Sequence, residues 1–493
     1  MVQSYKNYID GEWVGSSTGE TFENINPATG EVIGLFPKST CADAARAIAA
    51  AEQAFAGWRK VPAPKRGEIL FRAGEILVKR KEEFARQMTA EMGKIIKEAR
   101  GDVQEAIDMT YYMAGEGRRL FGHTTPSELP NKFAMDVRMP IGVVAAITPW
   151  NFPMAIPSWK IMPALIAGNT VVFKPSRYTP HSAYNLVEVL AEAGLPSGAL
   201  NLVFGEAEEV GDPLIEDPRI NLISFTGSTQ VGNDIAVRAT KLGKRVSLEL
   251  GGKNAIMVMD DANIDLAIEG IVWSAFGTSG ERCTAASRIV VQRPVLDEVQ
   301  QKLVVRAKAL RLGDGLDAST DMGPLVNESQ LRRVARYVDI GKEEGADLLC
   351  GGHRATNGTL AKGFFFQPTI FGNVKPDMRI AQEEVFGPFT AIIPVDSLEE
   401  AIAVNNATAY GLSSALYTRD VNKAFRAIED VTTGILYINA GTIGAEIHLP
   451  FGGTRGTGNG HREAGQAALD VFSEWKSVYV DFSGRLQKAQ IAD

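Results

Sequence analysis

Cysteine and histidine are scarce in this 493-residue chain, with three of the first and five of the second. Cys41, Cys283 and Cys350 stand too far apart for a disulfide framework or a thiolate zinc site, so no metal centre is expected. No run reaches the roughly eighteen apolar residues of a membrane span, and the opening MVQSYKNYIDGEWVGSS lacks the basic-then-apolar pattern of a secretory signal. Basic residues are scattered and the net charge is −8, which argues against a nucleic-acid partner. A soluble cytoplasmic protein is expected.

What is present is an ordinary globular balance, 45% apolar and 22% charged. The length exceeds what one core usually serves and predicts two or three domains. The segment STCADAARAIAAAEQAFAGW opens with Thr40 and Asp43 at capping-box spacing, and Ala44, Ile48, Ala51, Phe55 and Trp58 then recur at helical intervals. Further helices are predicted over 66–92 and 94–114, so the front of the chain reads as largely helical.

From residue 140 short β-branched runs alternate with helical patterns: 143–148, 170–173, 200–204, 222–226 and 245–250. Their starts are separated by roughly 22–30 residues, the length of βαβ units. One intervening helix starts at Pro180 and stops at Gly194. Near-continuous apolar strands joined by crossover helices predict a parallel sheet covered on both faces. A second αβ series runs from AIMVM (255–259) to GILYIN (434–439). The tail EWKSVYVDF (474–482) reads as a strand with nothing nearby to pair with, suited to another subunit or a sheet edge.

Several strand ends carry chemistry-bearing residues. There is no G-x-G-x-x-G after a strand; FTGSTQVG (225–232) offers Gly227 and Ser228, which fit either a pyrophosphate site at a helix N-terminus or a tight turn capped by Ser228. Lys174 ends the 170–173 run, where ligands of open α/β sheets bind, or where a lysine simply faces water. Asn151 in PWNFP is either an oxyanion donor or the cap of a rigid turn. Glu249 precedes a glycine pair in SLELGGK; it is either a buried carboxylate tuned towards a general base or a water-facing strand end. Glu384 and Phe386 lie in QEEVFGP, and Cys283 sits among small residues in SGERCTAASR. An amide, a carboxylate and a thiol on one scaffold suit acyl chemistry, and a nicotinamide beside them would allow hydride loss from a thiol adduct.

In this order PWNFP, FKPS, FTGST, LELGGK, GERC, EEVFGP and PFGG (450–453) resemble the aldehyde dehydrogenase superfamily, from about Tyr8 to the C-terminus. The resemblance implies Cys283 as nucleophile, Asn151 with the Cys283 backbone N–H as oxyanion hole, and Glu249 as the base for deacylation. It implies an NAD or NADP site at Lys174, Ser176, Arg177, Gly211, Gly227, Ser228, Pro149, Trp150, Glu384 and Phe386. Phe451 is expected to line the aldehyde tunnel, while Cys41 and Cys350 are left as packing residues. The implied architecture is a Rossmann-like parallel-sheet cofactor domain (1–122 and 142–251), an α/β catalytic domain (252–447) and a small oligomerisation β-sheet (123–141 and 468–493) that gives the tail strand its place in a homodimer or homotetramer.

One departure bears on the cofactor. Many NAD-preferring members carry a glutamate three residues after the Lys174 position, where this chain has Arg177. An arginine suits a 2′-phosphate, so the sequence leans towards NADP with NAD still open. His448 in the 440–451 loop, and Arg118 or Arg119 at the end of the 94–114 helix, are candidate anchors for the carboxylate of a semialdehyde acid. The loop and GTRGTGNGHREAG (453–465) resemble bacterial members acting on α-ketoglutaric semialdehyde. General aldehydes and amino-acid-derived semialdehydes are the alternatives. A coenzyme-A-acylating or a non-catalytic structural member fits less well, because Cys283 and the water-activating Glu249 are both present.

Overall fold

The computed structural model describes residues 2–490. The five runs expected after residue 140 form Val143–Ile147, Thr170–Lys174, Leu200–Leu202, Ile220–Thr226 and Arg245–Glu249. They are parallel, in the spatial order 245–249, 220–226, 143–147, 170–174, 200–202. Their side chains are buried on both faces. Val143, Ala145 and Val172 pack against Ala44 and Ile48 of helix Cys41–Trp58. Val144, Val171 and Phe173 pack on the opposite side with the long helices Ala63–Met92 and Ile96–Glu116. Thr40 and Asp43 form the expected capping box.

The front of the chain is less helical than its composition suggests. Asn7–Ile9 and Glu12–Val14 extend the parallel sheet as an antiparallel edge pair, and Thr21–Ile25 pairs with Val32–Pro37. Asp10 and Gly11 both have positive φ, the Asp-Gly turn that joins two-residue hairpins. That dipeptide was the available signal; strands this short carry almost no periodicity of their own.

A second seven-stranded sheet runs in the order 347–350, 369–372, 389–395, 286–292, 254–258, 413–417, 435–438. The tail strand is not an orphan within the chain. Ser473–Asp481 pairs antiparallel with Lys132–Pro140 along its whole length, from Ser473↔Pro140 to Asp481↔Lys132, and Thr124–Pro126 completes a three-stranded sheet. The partner strand lies more than 300 residues upstream, so no local pattern announces it.

Candidate functional site

Carboxyl ends of the first sheet point at the second. Val143–Ile147 delivers Pro149, Trp150 and Asn151; Ile220–Thr226 delivers Gly227 and Ser228; Arg245–Glu249 ends on Glu249. Ser228 caps helix Thr229–Lys241, its Oγ accepting from the Val231 N–H at 3.4 Å. Opposite them stands Cys283, which follows helix Ile264–Phe276 through a left-handed turn. Thr278 and Ser279 have φ of 51° and 54°, a conformation that costs energy for residues with a Cβ. Contacts hold it in place: the Thr278 N–H donates to Glu98 at 2.7 Å, and Ser279 Oγ donates to the Gly323 carbonyl at 2.8 Å. A Cβ on Gly280 would lie 2.0 Å from the Gly387 carbonyl, so only glycine allows the turn to lie this close to the backbone before strand Phe389–Val395.

Cys283 lines two cavities, which also share Ile156, Thr226 and Leu250. One, of ≈ 230 Å³, is lined by Pro149, Trp150, Asn151, Gly227, Ser228, Cys283, Glu384 and Phe386 together with Thr226, Leu250, Gln330 and Arg333. The other, of ≈ 110 Å³, is lined by Cys283, Glu249, Phe451, Phe152, Trp159, Arg282, Glu105 and Glu463 among others. Glu105 and Ala445 also line a wider outer groove with Asp108, Tyr111, Tyr112, Glu446 and His448. A chain of cavities thus leads from the surface to Cys283, and a second chamber lies on the thiol's far side.

Burial, followed by the Glu249 and Glu384 carboxylates, pushes the Cys283 thiol up to about 12. Burial likewise raises Glu249 well above the ordinary carboxylate range, with Glu463 adding to it and Lys160 opposing. One Glu249 carboxylate oxygen is buried with no partner, and a Cβ at Gly452 would lie 2.7 Å from the other. Asn151 is 3% exposed, and its Nδ2 donates one hydrogen to the Glu281 carbonyl at 3.1 Å, leaving the second free. On the cofactor-side wall, Glu384 Oε1 accepts from the Gly252 N–H at 3.0 Å, and Phe386 meets Trp150 edge-on at 5.5 Å. Phe451 packs edge-on against Trp159 at 4.8 Å.

Two buried cation networks underpin the site, and sequence reasoning missed both. Lys94 pairs with Asp102 at 2.8 Å and donates to the Asn151 carbonyl at 2.6 Å, while Asp102 accepts from the Met154 and Ala155 N–H groups. The pair clamps both sides of the turn that carries Asn151. Lys160 lies in Ala155–Ala167, a helix buried at every position, and it pairs with Glu463 and donates to Ser224 Oγ at 3.1 Å. A lone lysine inside AIPSWKIMPALIA was the available signal, since a buried charge requires a partner. Arg282 was passed over beside its neighbour Cys283. Among the described residues that line the inner cavity it is the cation, 3.3 Å from Glu98 and 5.1 Å from the Phe152 ring centroid.

Lys174 is partly exposed at its strand end, with the Gly211 Cβ position 3.8 Å from its stem. Ser176 Oγ accepts from the Tyr178 N–H at 3.2 Å. Arg177 is not a free cation: its Nη1 lies 2.5 Å from Glu206 Oε1. Arg118 and Arg119 are corrected outright as tunnel anchors. Both are exposed and line neither cavity; Arg119 pairs with Glu116 at 2.7 Å, because the helix end turns these side chains to solvent. His448 reaches only the outer groove, beside Glu446. Cys350 is buried, but Cys41 is an exposed residue at a helix start and donates to Glu209, so it is no packing residue.

A parallel sheet whose strand ends face a buried cysteine in the lining of two cavities has the layout of an α/β enzyme with its site at the strand ends. The family model described as "Aldehyde dehydrogenase family" matches residues 13–478. The chain is 45% identical to an alpha-ketoglutarate semialdehyde dehydrogenase of Haloferax volcanii and 41% identical to an alpha-ketoglutaric semialdehyde dehydrogenase of Bacillus subtilis. Those alignments cover 97% of this chain and 99% and 98% of the relatives. Betaine aldehyde dehydrogenase of Staphylococcus aureus, solved with NAD+, superposes with a TM-score of 0.96 at 36% identity, covering 98% of this chain and 95% of that one. The chain belongs to the aldehyde dehydrogenase family. It is an NAD(P)-dependent oxidoreductase acting on an aldehyde, and among the described residues no helix is long and apolar enough to cross a membrane.

Proposed function

We propose that Cys283 is the nucleophile, adding its sulfur to the aldehyde carbon and passing its proton to the buried carboxylate of Glu249. The single observation that carries this reading is the place of Cys283 in the lining of both cavities, the one nucleophilic thiol among the residues they share. The free Asn151 N–H and the Cys283 backbone N–H stabilise the oxygen that becomes negative. The cofactor-side residues fit a dinucleotide: Gly227 and Ser228 open a helix N-terminus, Trp150 and Phe386 supply aromatic walls, and the buried Thr226 hydroxyl has no protein partner. When bound, NAD(P)+ accepts the hydride released as the thiohemiacetal becomes a thioester. Lys174, Ser176 and Gly211 hold its adenosine end, and Glu384 holds the nicotinamide ribose. Glu249, raised by burial, first releases the thiol's proton to solvent. As a carboxylate again it takes a proton from the water that attacks the thioester, the Cys283 sulfur is expelled and regains a proton, and the acid leaves.

The substrate proposed is a semialdehyde acid of the α-ketoglutaric type. Arg282 supports it as the anchor for the distal carboxylate, in the role first expected of Arg118, Arg119 or His448. Burial pushes Glu105, across the same cavity, up to about 8, so it is a neutral hydrogen-bond donor at pH 7. A second reading, a neutral or cationic aldehyde, is favoured by the Arg282–Glu98 pair and by the carboxylates of Asp108 and Glu446 in the outer groove. A panel of aldehydes followed by reduced-nicotinamide absorbance decides between them. The first reading predicts a kcat/KM advantage for the carboxylate-bearing aldehydes; equal or better turnover of neutral aldehydes supports the second.

We also propose the division into a cofactor domain (1–122 and 142–251), a catalytic domain (252–447) and an oligomerisation sheet (123–141 and 468–493), in a homodimer or homotetramer. Exposed Phe133, Val137, Trp475 and Tyr479 on the three-stranded sheet support an assembly that covers it. A cytoplasmic location suits an enzyme whose nucleophile must stay reduced.

A further inference from the structure

Arg177 and Lys174 stand among carboxylates of a neighbouring loop. Arg177 Nη1 is 2.5 Å from Glu206, and the guanidinium lies 5.4 Å from the Phe22 ring centroid. Glu206 comes from a different segment, the loop after Leu200–Leu202, whose strand is the parallel neighbour of Thr170–Lys174. That loop reads Glu206, Ala207, Glu208, Glu209 before Gly211 passes by the Lys174 stem. Glu208 and Glu209 are exposed beside it. Two cations therefore stand with two carboxylates, Glu206 and Glu208, while Glu209 accepts from the Cys41 thiol. Lys174 itself feels this charge: Glu206 and Glu208 favour its protonated form against the burial that opposes it.

We propose that Glu206 is the residue by which this enzyme selects NAD over NADP. The inference rests on the reading that places the adenosine ribose at Lys174. Arg177 stands three residues beyond that lysine, and Glu206 brings a carboxylate to the Arg177 guanidinium and within electrostatic reach of Lys174 from the adjacent strand's loop. A ribose 2′-hydroxyl donates to a carboxylate, a charge-assisted hydrogen bond. A 2′-phosphate has no proton to spare for it and adds nearly two negative charges. To seat on Arg177 the phosphate must displace Glu206 from the guanidinium, and the displaced carboxylate remains in the same loop with Glu208 and Glu209. Breaking an exposed ion pair costs little in itself. The discrimination comes from repulsion in the NADP complex together with the hydrogen bond made only in the NAD complex. Arg177, the residue that made NADP attractive from the sequence, here serves to hold Glu206 in position.

The test is a binding titration of the intact enzyme, without aldehyde, using NADH and NADPH and reading reduced-nicotinamide fluorescence. The unsubstituted enzyme is expected to bind NADH at least about tenfold more tightly than NADPH. Glu206→Gln, which keeps the shape and removes the charge, is expected to lower that ratio about tenfold by weakening NADH and strengthening NADPH. Arg177→Ala added to Glu206→Gln should remove the gain for NADPH. Equal or tighter NADPH binding by the unsubstituted enzyme overturns the proposal, as does an unchanged ratio in Glu206→Gln. Lys174→Met separates the two levels of the argument. If it weakens both dinucleotides while Glu206→Gln changes nothing, the selection by Glu206 fails and the ribose placement stands. If it weakens neither, the placement fails and the inference falls with it.

Discussion

The chambers on either side of Cys283 are built in different ways. The chamber proposed for the cofactor is built mainly from strand ends, Pro149–Asn151, Thr226–Ser228 and Leu250–Gly251, joined by Glu384 and Phe386 from a loop and by Gln330 and Arg333 from helix Glu328–Glu343. The chamber proposed for the aldehyde draws on more segments: Glu105 from a helix of the front region, Phe152 from the turn after Asn151, Trp159 from the helix that follows, Arg282–Thr284 around the thiol, Ala445 and Phe451 from a loop, and Glu463 beyond it. A chamber made of strand ends is constrained by the sheet and binds a constant ligand. A chamber made of scattered side chains changes by one substitution at a time, which suits the part of the molecule that chooses a substrate.

Replacing the shared wall should damage both chambers' joint product most. Cys283→Ala is expected to lower aldehyde oxidation by about 10⁴-fold or more while NADH still binds, as steady-state assay and fluorescence titration would show. Retained turnover would remove the thiol from the mechanism. Asn151→Ala should cost about 10²–10³-fold in kcat with a small change in KM, since its free N–H acts when the oxyanion forms.

Next in size is a change confined to the aldehyde side. Arg282→Met should lower kcat/KM for a carboxylate-bearing aldehyde roughly 10- to 100-fold and leave a neutral aldehyde of equal length nearly unchanged. Equal losses for both would make Arg282 a support for the turn through Glu98 instead of an anchor.

The pH dependence sharpens the same point. Glu105 is neutral below about 8 and acquires a charge above it, so it repels an anionic substrate only on the alkaline side. The ratio of kcat/KM for an anionic over a neutral aldehyde should therefore fall as pH rises through about 8. Taking the ratio cancels the titration of Cys283, and Glu105→Gln should flatten the curve. The smallest effect is expected at Arg118, outside both chambers, where Arg118→Ala should leave kcat/KM within about twofold.

The same contrast explains what the sequence made legible. Five parallel strands, the capping box at Thr40 and the motifs that bring Pro149–Asn151, Gly227–Ser228, Glu384 and Phe386 to one cavity were readable because each is written locally, whereas Gln330 and Arg333 of the same cavity carry no such motif. Glu463, Lys160 and the Lys94–Asp102 clamp were not, because their meaning is a partner 8 to 303 residues away. Arg118 and Arg119 misled for the complementary reason: charge and position near a tunnel do not give a side chain's direction. The pairing of Arg177 was illegible because Glu206, its partner, comes from a neighbouring strand's loop.

The central claim is that Cys283 carries the substrate covalently between the two chambers and that Glu249 releases it. It is tested most directly by intact-mass measurement of Glu249→Gln after mixing with aldehyde and oxidised cofactor. The expected result is a new species heavier by the aldehyde less two hydrogens, one lost from the thiol and one as hydride, and absent when Cys283 is also replaced by alanine. Unimpaired turnover with no such species, or an adduct that survives loss of Cys283, would contradict it.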